Sequence, residues 1–234
     1  MIKAIVFDMD DTLYLEKDYV FSGFNHIDNW LKYEFQVEGF SKIAINLFES
    51  GENKLVFNKT LDYLKVTYDD KFIQQMIKLY RSHTPIIKLC EDTKWLFDKL
   101  NNKVKLGLIS DGYYEAQSKK VAALGLNQII ETIILTDTLG REQWKPSKVP
   151  YEVACNELQV AHNECIYIGD NEKKDFITAK KLGWTTVHVE REKGIYFKLD
   201  LNEDYSAHYK VTSLRELEDL PILRHLFLKK AERM

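Results

Sequence analysis

Cysteine is scarce in this chain of 234 residues: Cys90, Cys155 and Cys165 are odd in number and form no C-x-x-C pair, which excludes a disulfide framework and a zinc site. Four prolines and ten glycines are too few for a collagen-like or low-complexity chain. With 45% hydrophobic and 29% charged residues, the composition is that of a globular protein and not of a disordered one. Charge of one sign is lacking too. The 33 basic and 36 acidic residues leave a net −3 and are interspersed, so neither a nucleic-acid polymer nor a membrane surface is an expected partner. A small anionic substrate is compatible with that sum, because a local site can oppose the global sign. No apolar run approaches the ~20 residues of a membrane span, and the apolar stretch from Met1 to Phe7 meets Asp8 too early for a signal segment. The expectation is a cytoplasmic protein with reduced thiols. At ~150 residues per domain the length corresponds to about 1.6 domains, hence one core with an insertion or a small second domain.

Short β-branched runs recur at Ile2 to Phe7, Val104 to Ile109, Ile133 to Leu135, Cys165 to Ile168 and Thr185 to Val189, each reading as a buried strand. Between them lie helical patterns: Trp95, Leu96 and Leu100; Val121, Ala122 and Leu124; Val149 through Leu158; and Phe176 to Leu182, closed by Gly183. Strand and helix in alternation predict an α/β fold, a parallel Rossmann-like sheet with helices on both faces. The alternation breaks once. Residues 15–88 hold no strand pattern and four amphipathic helical ones, over about 20–36, 40–50, 54–65 and 70–83. The predicted organisation is a discontinuous core, 1–14 and 89–234, with an all-helical cap at 15–88. Pro85 marks the return to the core. The aromatic residues Trp30, Tyr33, Phe35 and Phe48 read as the cap's own small core, and a helical tail is expected around Leu214 and Leu217 and again from Pro221 to Leu228.

Polar clusters follow the first, second and fourth of these strands, and ligands of open α/β sheets bind beyond the carboxyl ends of strands. After the first comes Asp8-Met9-Asp10-Asp11-Thr12, where two carboxylates two residues apart face one point and need a cation or a shared proton. After the second, Ser110-Asp111-Gly112 offers a hydroxyl and backbone N–H groups at a helix start, suited to a phosphate oxygen. Trp144-Lys145-Pro146 supplies a fixed ammonium. The fourth strand leads into Gly169-Asp170, with Asp175 five residues further on. Acids, hydroxyl and lysine together suit phosphoryl transfer onto a carboxylate. Mg²⁺ takes hard oxygen ligands from a few carboxylates and from phosphate, and the lysine and hydroxyl hold the oxygens that do not react.

These residues resemble, in order, the four motifs of the haloacid dehalogenase-like superfamily of hydrolases in its phosphatase branch. The resemblance implies that Asp8 is the nucleophile forming an aspartyl-phosphate, that Asp10 is the general acid and base, and that Thr12 orients Asp10. It implies phosphate binding by Ser110, Asp111, Gly112 and Lys145. It implies Mg²⁺ held by the Asp8 side chain, the Asp10 backbone carbonyl and Asp170, with Asp175 supporting the metal shell and the lysine. The implied activity is Mg²⁺-dependent hydrolysis of a small soluble phosphomonoester such as a nucleoside monophosphate or sugar phosphate. A phosphosugar mutase sharing the same residues and a non-catalytic scaffold are the alternatives. Haloacid dehalogenation is disfavoured by the presence of Asp10, and a receiver domain by the length and the order of the acids. Where many relatives have Gly this chain has Asp11, and Lys174 replaces an Asn, so extra charge near the metal is expected. Tyr14, Lys17, Tyr19, Phe21 and Tyr113 are candidate substrate contacts, although ordinary packing is the expectation for most of them. Arg81 and His83 are expected at a solvated helix end, and Cys155 and Cys165 as buried core thiols.

Overall fold

The computed structural model describes residues 1–195 and 202–228. Six parallel strands form one sheet: β1 (Ala4–Phe7), β2 (Lys105–Ser110), β3 (Thr132–Leu135), β4 (Cys165–Gly169), β5 (Thr185–Val189) and β6 (Tyr209–Val211), in the order β3-β2-β1-β4-β5-β6. β1 is central and buried along its whole length. Its alternation serves two cores: Ile5 and Phe7 join Leu106, Leu108, Ile166 and Ile168 on one face, while Ala4 and Val6 join Ile109, Cys165 and Tyr167 on the other. Apolar residues on both faces leave these strands no polar side, as a covered parallel sheet requires.

Between β1 and β2 run α1 (Glu16–Phe35), α2 (Phe40–Glu49), α3 (Val56–Tyr63) and α4 (Asp70–Ser82). They enclose a separate cluster around Phe24, Ile27, Leu31, Phe40, Leu61 and Met76. The Asp28 carboxylate accepts from the Phe40 N–H at 2.6 Å and the Ser41 hydroxyl at 3.1 Å, tying the start of α2 to α1. The Asp69 side chain caps α4 through the Phe72 N–H. Trp30 and Phe48 pack against this cluster as expected, but Tyr33 is 86% exposed and Phe35 half exposed, because α1 turns them outward. α5 (Glu91–Leu100) and α6 (Tyr114–Ala123) follow, then α7 (Val149–Leu158), α8 (Ile177–Lys181) and α9 (Arg224–Phe227). The expected helical tail is a single 3-10 stretch, Leu214–Asp219, capped by Ser213, and the short α9. No helix among the described residues is long and apolar enough to cross a membrane. Cys155 and Cys165 are buried free thiols, as expected, and Cys90 is half-buried.

The chain builds β1, β2 and β3 outward on one side, then crosses to β4 on the other side of β1. That reversal opens a crevice at the carboxyl ends of β1 and β4. Register places Phe7 beside Leu108 and Ile168, so Asp8, Ser110 and Asp170 leave the sheet at one edge.

Candidate active site

Asp8 follows β1 directly, and its backbone N–H donates to the Ile168 carbonyl at 2.8 Å, which prolongs the sheet ladder by one residue. Its buried carboxylate takes the Lys145 ammonium at 2.5 Å, and the same ammonium reaches Asp175 at 2.8 Å and the Tyr167 hydroxyl at 2.8 Å. Lys145 is therefore a buried cation between two buried anions. Burial alone would lower its pKa, but Asp175 and Asp8 outweigh it and raise it well above the ordinary lysine value. Asp175 also accepts from the Asn171 N–H at 2.9 Å, and the Tyr151 hydroxyl donates to its carbonyl at 3.0 Å.

One ligand oxygen each from Asp8, Asp170 and Asp175 lies within 4.8 Å of the others. Burial pushes the Asp8 carboxyl up to about 6 against the pull of Lys145, and burial with the charges of Asp8 and Asp175 pushes Asp170 well above the carboxylate range. Among the described residues, Asp170 Oδ2 is buried with no hydrogen-bond partner. An orphaned carboxylate oxygen among carboxylates that repel one another is a donor set that fits a hard divalent cation.

Asp10 is held apart from that group. Its carboxylate accepts from the Tyr14 hydroxyl, from Lys120 at 2.7 Å and from Gln117 Nε2 at 3.0 Å. Burial raises its pKa, yet the charge and hydrogen bond of Lys120, with the bonds from Tyr14 and Gln117, leave it below the ordinary value. Gln117 also donates to the Ser110 hydroxyl at 2.6 Å, linking the second strand's end to Asp10. Neither Gln117 nor Lys120 stands out in the sequence. The available signal was spacing: Ala116, Lys120 and Leu124 fall at i, i+4 and i+8, which turns Lys120 to the buried face of α6.

Asp8, Asp10, Asp111, Lys145 and Asp170 line one cavity of about 290 Å³, with Glu16, Trp144, Asn171 and Lys174. Other expectations need correction. Among the described residues, the Thr12 hydroxyl is buried without a partner and makes no hydrogen bond to Asp10. Its carbonyl instead accepts from Arg191, and Asp10 is oriented by Tyr14, Lys120 and Gln117. The Asp111 carboxylate is occupied by Thr136 at 2.8 Å, the Lys145 N–H at 3.1 Å and Lys174 at 3.3 Å, so its visible work is to brace the loops. Gly112 has φ 133°, and the Gln117 side chain fills the space over its Cα. Asp11 is in the left-handed region at φ 48°, tolerated by Asp better than by most residues, and its carboxylate turns onto the N–H groups of Glu16 and Ile195. His83 is buried, donating to the Tyr80 carbonyl and accepting from Ser22. The Arg81 guanidinium stacks 3.6 Å from the centre of the Tyr113 ring, across from the helices to the core. Tyr19 lies under Lys120 at 4.2 Å.

The family described as haloacid dehalogenase-like hydrolase matches residues 5–189. Among characterised proteins, the chain is 29% identical to a glyceraldehyde 3-phosphate phosphatase of Methanocaldococcus jannaschii, over 94% of this chain and 97% of that one. It is 27% identical to a protein of the same name from Pyrococcus furiosus, over 92% and 91%. In fold it is similar to the magnesium-bound hydrolase YfnB of Bacillus subtilis, with a TM-score of 0.67 at 16% identity over 93% of this chain and 97% of that one.

Proposed function

The chain belongs to the haloacid dehalogenase-like hydrolases and is a phosphatase among them, and from that premise we propose that it hydrolyses a small phosphosugar through an aspartyl-phosphate on Asp8, as a cytoplasmic enzyme. The observation that carries the reading is the Asp8, Asp170 and Asp175 group, with its orphaned Asp170 oxygen, at the switch point of the sheet. Asp8, Asp170 and the Asp10 backbone carbonyl would hold Mg²⁺, which when bound neutralises the charge that keeps a carboxylate from an anionic phosphate.

Asp8 attacks phosphorus as the bond to the leaving oxygen breaks, and Asp10, a carboxylate in the free site that must carry a proton in the substrate complex, gives that proton to the leaving oxygen. Asp10 then takes a proton from the water that attacks the aspartyl-phosphate, releasing phosphate and restoring Asp8. Lys145 fixes the Asp8 carboxylate and, with Ser110, offers donors to the oxygens that do not react. A cavity of about 290 Å³ accommodates a small phosphorylated ligand. The names of the relatives point the same way, to a triose phosphate.

Phosphate release from glyceraldehyde 3-phosphate, hexose phosphates and nucleoside monophosphates, with Mg²⁺ or with a chelator, tests the proposal. Metal-dependent release should fall by at least about a thousandfold in Asp8→Asn. Undiminished turnover in that variant would refute it.

A further inference from the structure

One charged group in the cavity wall has no part in the chemistry above. Glu16 opens α1 and faces the cavity that also holds Asp8, Asp10 and Asp170. Its backbone N–H is taken by Asp11 at 2.9 Å, but its carboxyl has neither a donor nor an ion-pair partner among the described residues. The neighbouring cations are all engaged: Lys145 with Asp8 and Asp175, Lys174 with Asp111, and Lys120 with Asp10.

We propose that Glu16 is the specificity-determining contact for the leaving half of the substrate, selecting a neutral, hydroxyl-bearing group over one that carries a carboxylate or a second phosphate. The inference rests on the phosphatase reading and sharpens its substrate class. A hydroxyl donates to the Glu16 carboxylate. A carboxylate or second phosphate only accepts, and it would meet Glu16 where every nearby lysine is already paired.

The test compares kcat/KM for a matched three-carbon pair, glycerol 3-phosphate and 3-phosphoglycerate, in the wild type, Glu16→Gln and Glu16→Asp with Mg²⁺ present. The wild type should prefer the neutral member at least tenfold. Glu16→Gln should shrink that ratio at least tenfold, mostly through KM, and Glu16→Asp should restore much of it. No preference in the wild type, or an unmoved ratio in Glu16→Gln, would overturn the inference; if Glu16→Gln fails to fold, the wild-type preference and Glu16→Asp still decide it. Hydrolysis of p-nitrophenyl phosphate by the wild type, lost in Asp8→Asn, separates the two readings. Activity there with an unmoved ratio removes only the role of Glu16, whereas silence there removes the phosphatase reading and this inference with it.

Discussion

Gly169 ends β4 at a point where an added Cβ would fall 2.5 Å from Asp175 Oδ2 and 2.8 Å from its Cγ. The glycine is what lets the Asp175 carboxylate fold back beneath the strand end to reach Lys145 and the Asn171 N–H. Gly169→Ala should displace Asp175 and cost about 1–3 kcal/mol of stability, the usual range for overpacking a tight interior. Urea denaturation would measure that, and phosphate release should fall in the same variant because Lys145 loses one of its two anchors. At this scale the sequence was legible for which acids and lysine gather, since Asp8, Asp10, Lys145 and Asp170 share one cavity. It was not legible for the residues that orient them. Tyr14, Gln117 and Lys120 are ordinary in type, and only the fold brings α6 against the loop after β1.

That loop is held from behind by an ion pair joining α5 to the segment after β5. Arg191 donates twice to Asp92, at 3.1 Å each, and also to the Thr12 carbonyl, while Asp92 accepts from the Ser213 hydroxyl at 3.1 Å and the Leu214 N–H at 2.8 Å. Burial raises the Asp92 carboxyl, but Arg191 and these donors outweigh it and hold it below the usual carboxylate value. A carboxyl depressed in the folded state contributes stability above its unfolded pKa, about 3.9, and loses that contribution as pH falls through the lower folded value. Asp92→Asn should therefore be less stable than the wild type by about 1–3 kcal/mol at pH 7. The gap should close below about pH 4, which chemical denaturation across pH would follow. Element identity was largely legible too: Thr185–Val189 is the strand expected there, and α1 to α4 begin and end near their expected positions. β6 was not, because Tyr209–Val211 is an edge strand of three residues with no buried run to announce it.

Over the whole molecule, α1 to α4 centre on an apolar cluster of their own beside the two that sandwich the sheet, with Tyr80 packed against both it and the sheet cluster that holds Tyr19. Phe40 is fully buried in that cluster, edge-on to Phe24 and packed beside Phe57. Phe40→Ala should cost about 3–5 kcal/mol, and the loss should be local. Hydrogen exchange is expected to accelerate across α1 to α4 while β1, β2 and β4 stay protected; equal acceleration in the sheet would show the clusters to be energetically joined. The break in strand and helix alternation made this insertion visible in the sequence, whereas the stacking of Arg81 on Tyr113 across to the core is a long-range contact that no local pattern encodes.

The carbonyl of Leu13 accepts from the Cys90 N–H at 3.0 Å and from the Thr93 hydroxyl at 2.8 Å, so the chain leaves the core and returns to it at a single stitch. The helical segment is therefore a side loop whose two ends already meet, and the closure entropy of joining them falls on the core. Such a junction works like a socket: the helices between could be lengthened, shortened or exchanged for another set without altering strand order. New substrate preferences can then be grafted above an unchanged catalytic floor.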